Sequence, residues 1–233
     1  GRAGGDGEDE SKIRVRIKME DILLVGLGGH AHSVADSIEQ GGKYNIIGFL
    51  DKEEMLGKRF RDYRVLGTDD AMERYYADGV RNAFVTIGFL GYGSVRERLY
   101  NRLKEAGYTL PDIIDGTAVV SDHVKLAEGI FVGRKAVLNA GAEIGKMSII
   151  NTGAIVEHDC MVGAFTHIAV GSVLCGGVSV GSRTLVGANA VVIQERRIGN
   201  HCIVGAGSVV RKDMEDNRMM LGNEIVKNLR GGV

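Results

Sequence analysis

The sequence predicts two structured parts in tandem: an α/β unit of Rossmann-like type over residues 20–110, and a parallel β-helix over residues 111–212. Residues 1–19 are expected to be a disordered tail and residues 213–233 a C-terminal extension. Three observations support this reading. A strand, a glycine turn and a helix follow one another from Asp21, and an aliphatic residue recurs at every sixth position from Ile114 to Val210. Glycine supplies 35 of 233 residues against a single proline, a composition suited to repeated tight turns rather than to helices.

The elements follow in chain order. Gly1 to Ser11 is rich in glycine and acid without periodicity and is left out of the fold. Asp21-Ile22-Leu23-Leu24-Val25 reads as a strand, Gly26-Leu27-Gly28-Gly29 as a turn, and His30 to Gln40 as a helix with Val34, Ala35 and Ile38 on one face. Further strands are predicted at Ile46–Leu50, Tyr63–Leu66 and Asn82–Ile87, with helices at Asp69–Ala77 and Ser94–Ala106, the last spaced by Val95, Leu99 and Leu103. This alternation implies a small parallel sheet. The lone proline, Pro111, marks the junction.

Beyond it the aliphatic run never slips: Ile114, Val120, Leu126, Val132, Leu138, Ile144, Ile150, Val156, Val162 and Ile168 lead on to Val210. The fifth residue of each hexad is usually small, as at Ala136, Ala154, Cys160 and Ser172. Three six-residue sides make one triangular coil whose stacked aliphatics fill a narrow core. No long loop is expected between Ile114 and Arg211, but Arg196 takes an inward position and predicts a local bulge. From Asp213 the period is lost, and Glu224–Arg230 reads as a short helix.

Composition excludes several functions. A net charge of −1 with 25% charged residues offers no footprint for nucleic acid. No apolar run approaches the roughly 18 residues of a membrane span, and the N-terminus lacks a signal peptide's apolar core, so a cytoplasmic location is expected. Cys160, Cys175 and Cys202 form no CxxC pair, which fits reduced thiols and no metal site.

The trio Glu157-His158-Asp159 stands inside this aliphatic repeat. With each aliphatic pointing inward, the third and fourth residues of a hexad form an exposed corner, so His158 and Asp159 share one corner and Gly176 and Gly177 lie one coil higher, about 4.8 Å away. His167 falls half a coil from His158, on the opposite side of the prism, together with Asn151. One prism cannot unite these groups. Prisms packed side by side can, and three copies close the arrangement, so a homotrimer is predicted with His158 and Gly176 from one subunit and His167 and Asn151 from the next. In the front unit, Gly26-x-Gly28-x-x-Ala31 with Asp51 beyond the second strand satisfies a loose dinucleotide fingerprint. The small unit and the intrusion of His30 weigh against a dinucleotide.

The hexads, the segment V-G-L-G-G-H-A at Val25–Ala31 and the motif N-x-x-A-x-V-E-H-D-C at Asn151–Cys160 give the chain a specific likeness. It resembles the left-handed β-helix sugar acetyltransferases of the sialic-acid O-acetyltransferase and bacillosamine-pathway group, from Glu20 to about Val210. The resemblance implies a left-handed helix, trimers with active sites between subunits, and acetyl-CoA as acetyl donor. It implies that Gly26, Gly28, Gly29, His30 and Asp51 hold the phosphates of a sugar nucleotide. Acetyl-CoA in that family lies between prisms toward the C-terminal coils, which makes Ala188, Gly205 and Ala206 candidate contacts.

Acetyl transfer needs a base and a donor to the oxyanion. His158 suits the first task, and the Gly176 N–H the second. Asp159 or Glu157 would orient the imidazole, the resemblance favouring Asp159, while His167 and Asn151 would hold cofactor or acceptor. Cys160 is read as core rather than nucleophile. Arg183, Arg211 and Lys212 are candidates for the CoA phosphates or plain surface charges, and Phe89–Ser94 for the sugar pocket. The expected reaction is N-acetylation of a UDP-4-amino sugar. Sialic-acid O-acetylation, an NAD-dependent oxidoreductase and a noncatalytic β-helix are the rivals.

Overall fold

The computed structural model describes residues 19–89 and 95–228. The expected tail and most of the Phe89–Ser94 segment lie outside the described residues. The front unit runs β1 (Glu20–Val25), α1 (Gly29–Gly41), β2 (Tyr44–Leu50), β3 (Arg59–Phe60), β4 (Tyr63–Gly67), α2 (Met72–Ala77), β5 (Asn82–Val85) and α3 (Val95–Glu105). Its sheet has the order β3-β4-β2-β1-β5, parallel throughout except for the antiparallel edge strand β3, which the sequence reading missed because it is only two residues long. Ile22, Leu23, Leu24 and Val25 of β1 are all buried, as a central strand covered on both faces requires.

Beyond Pro111 the chain forms a prism of two-residue rungs that repeat every eighteen residues, Val137 pairing with Ile155 and Ile155 with Val173. The three faces differ in what they turn outward. One carries Val119, Val137, Ile155, Val173, Val191 and Val209, and is called here the valine face. The second turns out Lys125, Glu143, Met161, Ser179 and Arg197, and the third Ile113, Phe131, Ile149, His167, Leu185 and Ile203. Ile113, Phe131 and Ile149 pack with Val34, Ile38 and Phe49 of the front unit, so this third face is the interdomain face.

Every fourth hexad position from Gly129 to Gly207 has φ between 52° and 77°, including Asp159 at 59°. Glycine, asparagine and aspartate adopt this left-handed conformation most readily, and the repeat enforces it on Lys135, Met147 and Phe165 as well. The aliphatic core from Val132 to Val210 is closed, whereas at its open lower end Ile114 is 40% exposed and Val120 half-buried.

Two expectations are corrected. There is no bulge at Arg196: Ser179 pairs with Arg197 in unbroken register, and the Arg196 side chain leaves the core, donating through Nε to the Gln194 carbonyl (3.2 Å) and lying 3.4 Å from Asp213. Nor is the described part of Glu224–Arg230 a helix, residues 229 and 230 lying outside the described residues. Glu224–Asn228 is a strand that folds back antiparallel on Arg218–Leu221, across a two-residue turn with Gly222 at φ 60°. Arg218–Leu221 in turn continues the interdomain face above Ile203 and Val204.

Candidate active site

Three groups of the predicted residues come together, each in its own place. Gly26, Gly28, Gly29, His30 and Asp51 line one cleft of about 460 Å³ at the C-terminal ends of β1, β2 and β5. Gly26 has φ 102°, and a Cβ there would run into Ile87. Asp51 shapes the turn: its Oδ2 accepts the Leu27 N–H at 2.6 Å and its Oδ1 the Lys52 N–H at 2.7 Å. With both oxygens engaged by backbone, Asp51 supports the loop rather than reaching a ribose. Helix α1 begins at Gly29 with no side-chain cap and no acidic residue in its first turn, so its amides and dipole face the cleft, an arrangement suited to phosphate.

His158 and Asp159 form the second group. The left-handed turn at Asp159 lets two consecutive side chains leave the same corner, and His158 Nδ1 lies 2.9 Å from Asp159 Oδ2. The His158 pKa is raised by that hydrogen bond. Because Nδ1 faces the carboxylate, Nε2 carries the free lone pair, and it lies over Gly176, where a Cβ would come within 2.6 Å of Cε1 and closer still to Nε2. The Gly176 N–H has no hydrogen-bond partner among the described residues. Glu157 is turned aside, its Oε2 accepting from Asn139 Nδ2 at 2.9 Å.

The third group lies across the prism. Asn151 Nδ2 is 3.1 Å from His167 Nε2, the pairing expected from the hexad count. Above them on the corner between interdomain and valine faces, the N–H groups of Val170, Ala188 and Ala206 have no partner among the described residues, whereas that of Thr152 is capped by Asn151 Oδ1 at 2.8 Å. Gly205 lies beside this corner, where Leu221 of the C-terminal hairpin and the Met220 carbonyl leave no room for a Cβ. A ladder of backbone donors at one-coil intervals fits a ligand with a chain of amide carbonyls.

Arg183, a candidate for the CoA phosphates or a plain surface charge, is engaged within the chain. It stands on the corner facing α3, where Nε and Nη2 donate to Glu97 at 2.9 and 2.6 Å. Cys160 is fully buried, burial pushes its thiol up to about 11, and its Sγ lies 3.1 Å from the Cys175 carbonyl. Cys160→Ser is therefore expected to keep acetyl transfer within a few-fold of wild type, measured by thiol release. A loss of a hundredfold or more would revive a covalent route. Two features escaped the sequence reading: the Val170 amide, and Arg96, which the stripe Arg96, Leu99, Tyr100 and Leu103 at i, i+3, i+4 and i+7 marks as inward-facing.

A front unit with a glycine-turn cleft, a β-helix and an exposed His–Asp pair beside an unpaired amide are together the parts of an acyltransferase. Residues 21–103 match the PglD N-terminal domain family, and residues 177–212 the bacterial transferase hexapeptide family of six repeats. Perosamine N-acetyltransferase from Caulobacter crescentus, solved as a histidine-to-asparagine variant with CoA and GDP-perosamine, is 35% identical. That match covers 89% of this chain and 97% of the other, with a TM-score of 0.84. The acetyltransferase domain of PglB from Neisseria gonorrhoeae FA1090 is 30% identical over 89% of this chain and 98% of its own, with a TM-score of 0.83. WeeI from Acinetobacter baumannii AYE shares the fold at 22% identity, over 89% of this chain and 99% of its own, with a TM-score of 0.70. The chain belongs to the left-handed β-helix sugar acetyltransferases.

Proposed function

We propose that the chain transfers the acetyl group of acetyl-CoA directly to the amino group of a nucleotide-linked amino sugar, with His158 as general base. The observation that carries this reading is the corner itself: His158 Nδ1 on Asp159, Nε2 over Gly176, and the Gly176 N–H unpaired. Acetyl-CoA supplies the thioester. His158 Nε2 takes a proton from the amine as it adds to the thioester carbonyl, and Asp159 stabilises the resulting imidazolium. The Gly176 N–H donates to the carbonyl oxygen as charge builds there. The imidazolium then returns the proton to the departing CoA thiolate, leaving His158 ready for the next cycle. Val170, Ala188 and Ala206 N–H groups would hold the pantetheine amides beside Gly205, and the cleft at Gly26, Gly28, Gly29, His30 and Asp51 the nucleotide phosphates. Residues 20–110 thus serve the sugar nucleotide and residues 111–212 acetyl transfer, with residues 213–228 of the C-terminal extension closing the top of the prism.

The site is shared between subunits of a homotrimer. The valine face is bounded by the His158 corner on one edge and the Thr152–Val170–Ala188 corner on the other. Three prisms turning their valine faces toward a common axis cover that apolar stripe and set the first corner of one subunit against the second corner of the next. His158 and Gly176 then meet His167 and Asn151 of the neighbour. No helix of the described residues is long and apolar enough to cross a membrane, which is consistent with a cytoplasmic enzyme that meets its substrates in solution.

The test is thiol release from acetyl-CoA with UDP- and GDP-linked amino sugars, their hydroxyl counterparts and sialic acids. Release with an amino sugar is expected, and tight NAD binding without acetyl-CoA binding would overturn the reading. Val173→Lys, which places a charge on the valine face, is expected to yield folded, inactive monomers by light scattering. Active monomers would refute the shared site.

A further inference from the structure

Behind the glycine-turn cleft lies a polar cluster that joins the two parts of the chain. Arg96, near the start of α3, is buried, and its guanidinium donates to the Ile87 carbonyl through Nη1 at 2.9 Å and to the Met147 carbonyl through Nη2. Burial brings its pKa down to about 10, so it stays a cation at neutral pH, yet no carboxylate pairs with it among the described residues. Its Nε, the Nε2 of His30 and the Nδ1 of His167 are all buried without a hydrogen-bond partner among the described residues. Burial first, and then the charge of Arg96, lowers His30 to about 3 and His167 to about 4. Arg96 and His167 are the charged or titratable groups acting on His30, and Arg96 is the one acting on His167.

The proton positions follow from Asn151. Its Oδ1 accepts the Thr152 N–H, which fixes the amide so that Nδ2 faces His167 Nε2 as a donor. His167 Nε2 is therefore the lone pair, and its proton sits on the buried Nδ1. Arg96 Nε–H is also a donor. A lone pair rather than a proton is favoured on the buried His30 Nε2 near a cation and two donors, so the His30 proton belongs on Nδ1, on a ring that lines the cleft.

We propose that Arg96 is a positioning residue that holds His30 with its proton on Nδ1, aimed into the cleft as a donor to the nucleotide phosphates, and His167 with its lone pair committed to Asn151. The identity of the ligand rests on the acetyltransferase reading; the proton positions do not.

The experiment is nitrogen-15 spectroscopy of the imidazoles in the full chain without ligand, paired with kinetics of Arg96→Met. In the wild type both His30 and His167 are expected as Nδ1–H tautomers that stay neutral between about pH 5 and 8. In Arg96→Met the loss of the cation is expected to raise both pKa values and to bring up the Nε2–H tautomer of His30, while burial, the larger cause, keeps both rings mostly neutral; KM for the sugar nucleotide is expected to rise roughly tenfold or more while KM for acetyl-CoA holds. An Nε2–H tautomer at His30 in the wild type, or ring signals unchanged by Arg96→Met, overturns the proposal. If Arg96→Met does not fold, the wild-type spectrum still decides, and Arg96→Lys is expected to keep the rings neutral while mixing the His30 tautomers. Failure of every sugar nucleotide as substrate would count against the function and leave the ring spectra as they are.

Discussion

His158→Ala is expected to lower kcat by roughly two to four orders of magnitude, with the fold and its melting transition retained, because the corner it occupies contributes nothing to the core. The side chain is 62% exposed and its nearest contacts are Asp159 and Gly176, so nothing collapses when it is removed. The pH profile carries the second half of this expectation. The proposed reaction uses the neutral imidazole, and Asp159 raises its pKa above the usual 6.5. The acidic limb of the rate profile therefore lies above that value in the wild type. Asp159→Asn removes the raising interaction, so the limb moves to lower pH while the plateau falls, since the imidazolium loses its carboxylate. A limb that stays in place would show that Asp159 does not act on His158.

Gly176→Ala is expected to cost about a hundredfold in kcat without loss of stability. Gly176 is not among the glycines with positive φ, so alanine can take its backbone conformation. The new methyl would occupy the space of the His158 ring tip, and an exposed imidazole yields more readily than backbone. The base would swing away from the N–H beside which it stands. Steady-state kinetics with a thermal melt checks both halves, and an unchanged kcat would mean that the ring works from another rotamer.

The hexad spacing made the prism legible down to individual corners, because a six-residue period leaves no freedom about which side chains point inward. It placed His158 with Gly176 and, on the far side, Asn151 with His167, which the structure joins at 3.1 Å. Where the period ended, legibility ended too. Beyond Asp213 no period was left to tell a helix over Glu224–Arg230 from the strand that pairs back on Arg218–Leu221. Arg196 misled for another reason: an arginine can start from an inward position and still snorkel to Asp213 and solvent. Arg96 and Arg183 are placed by packing between the two parts of the chain, and no local pattern says which carbonyl or carboxylate will meet them.

The left-handed turns give this protein an unusual kind of coordinate system. Each corner residue has a height, set by its coil number, and a bearing, set by which of three edges it occupies, and both can be read by counting. Moving a side chain by eighteen residues along the chain, as from His158 to Gly176 and on to Gln194, keeps the bearing and changes only the height. The proposed base and the amide beside it are thus neighbouring addresses on one edge. On the proposed reading the donor's pantetheine arm is likewise measured in coils, one for each step from Val170 to Ala188 to Ala206.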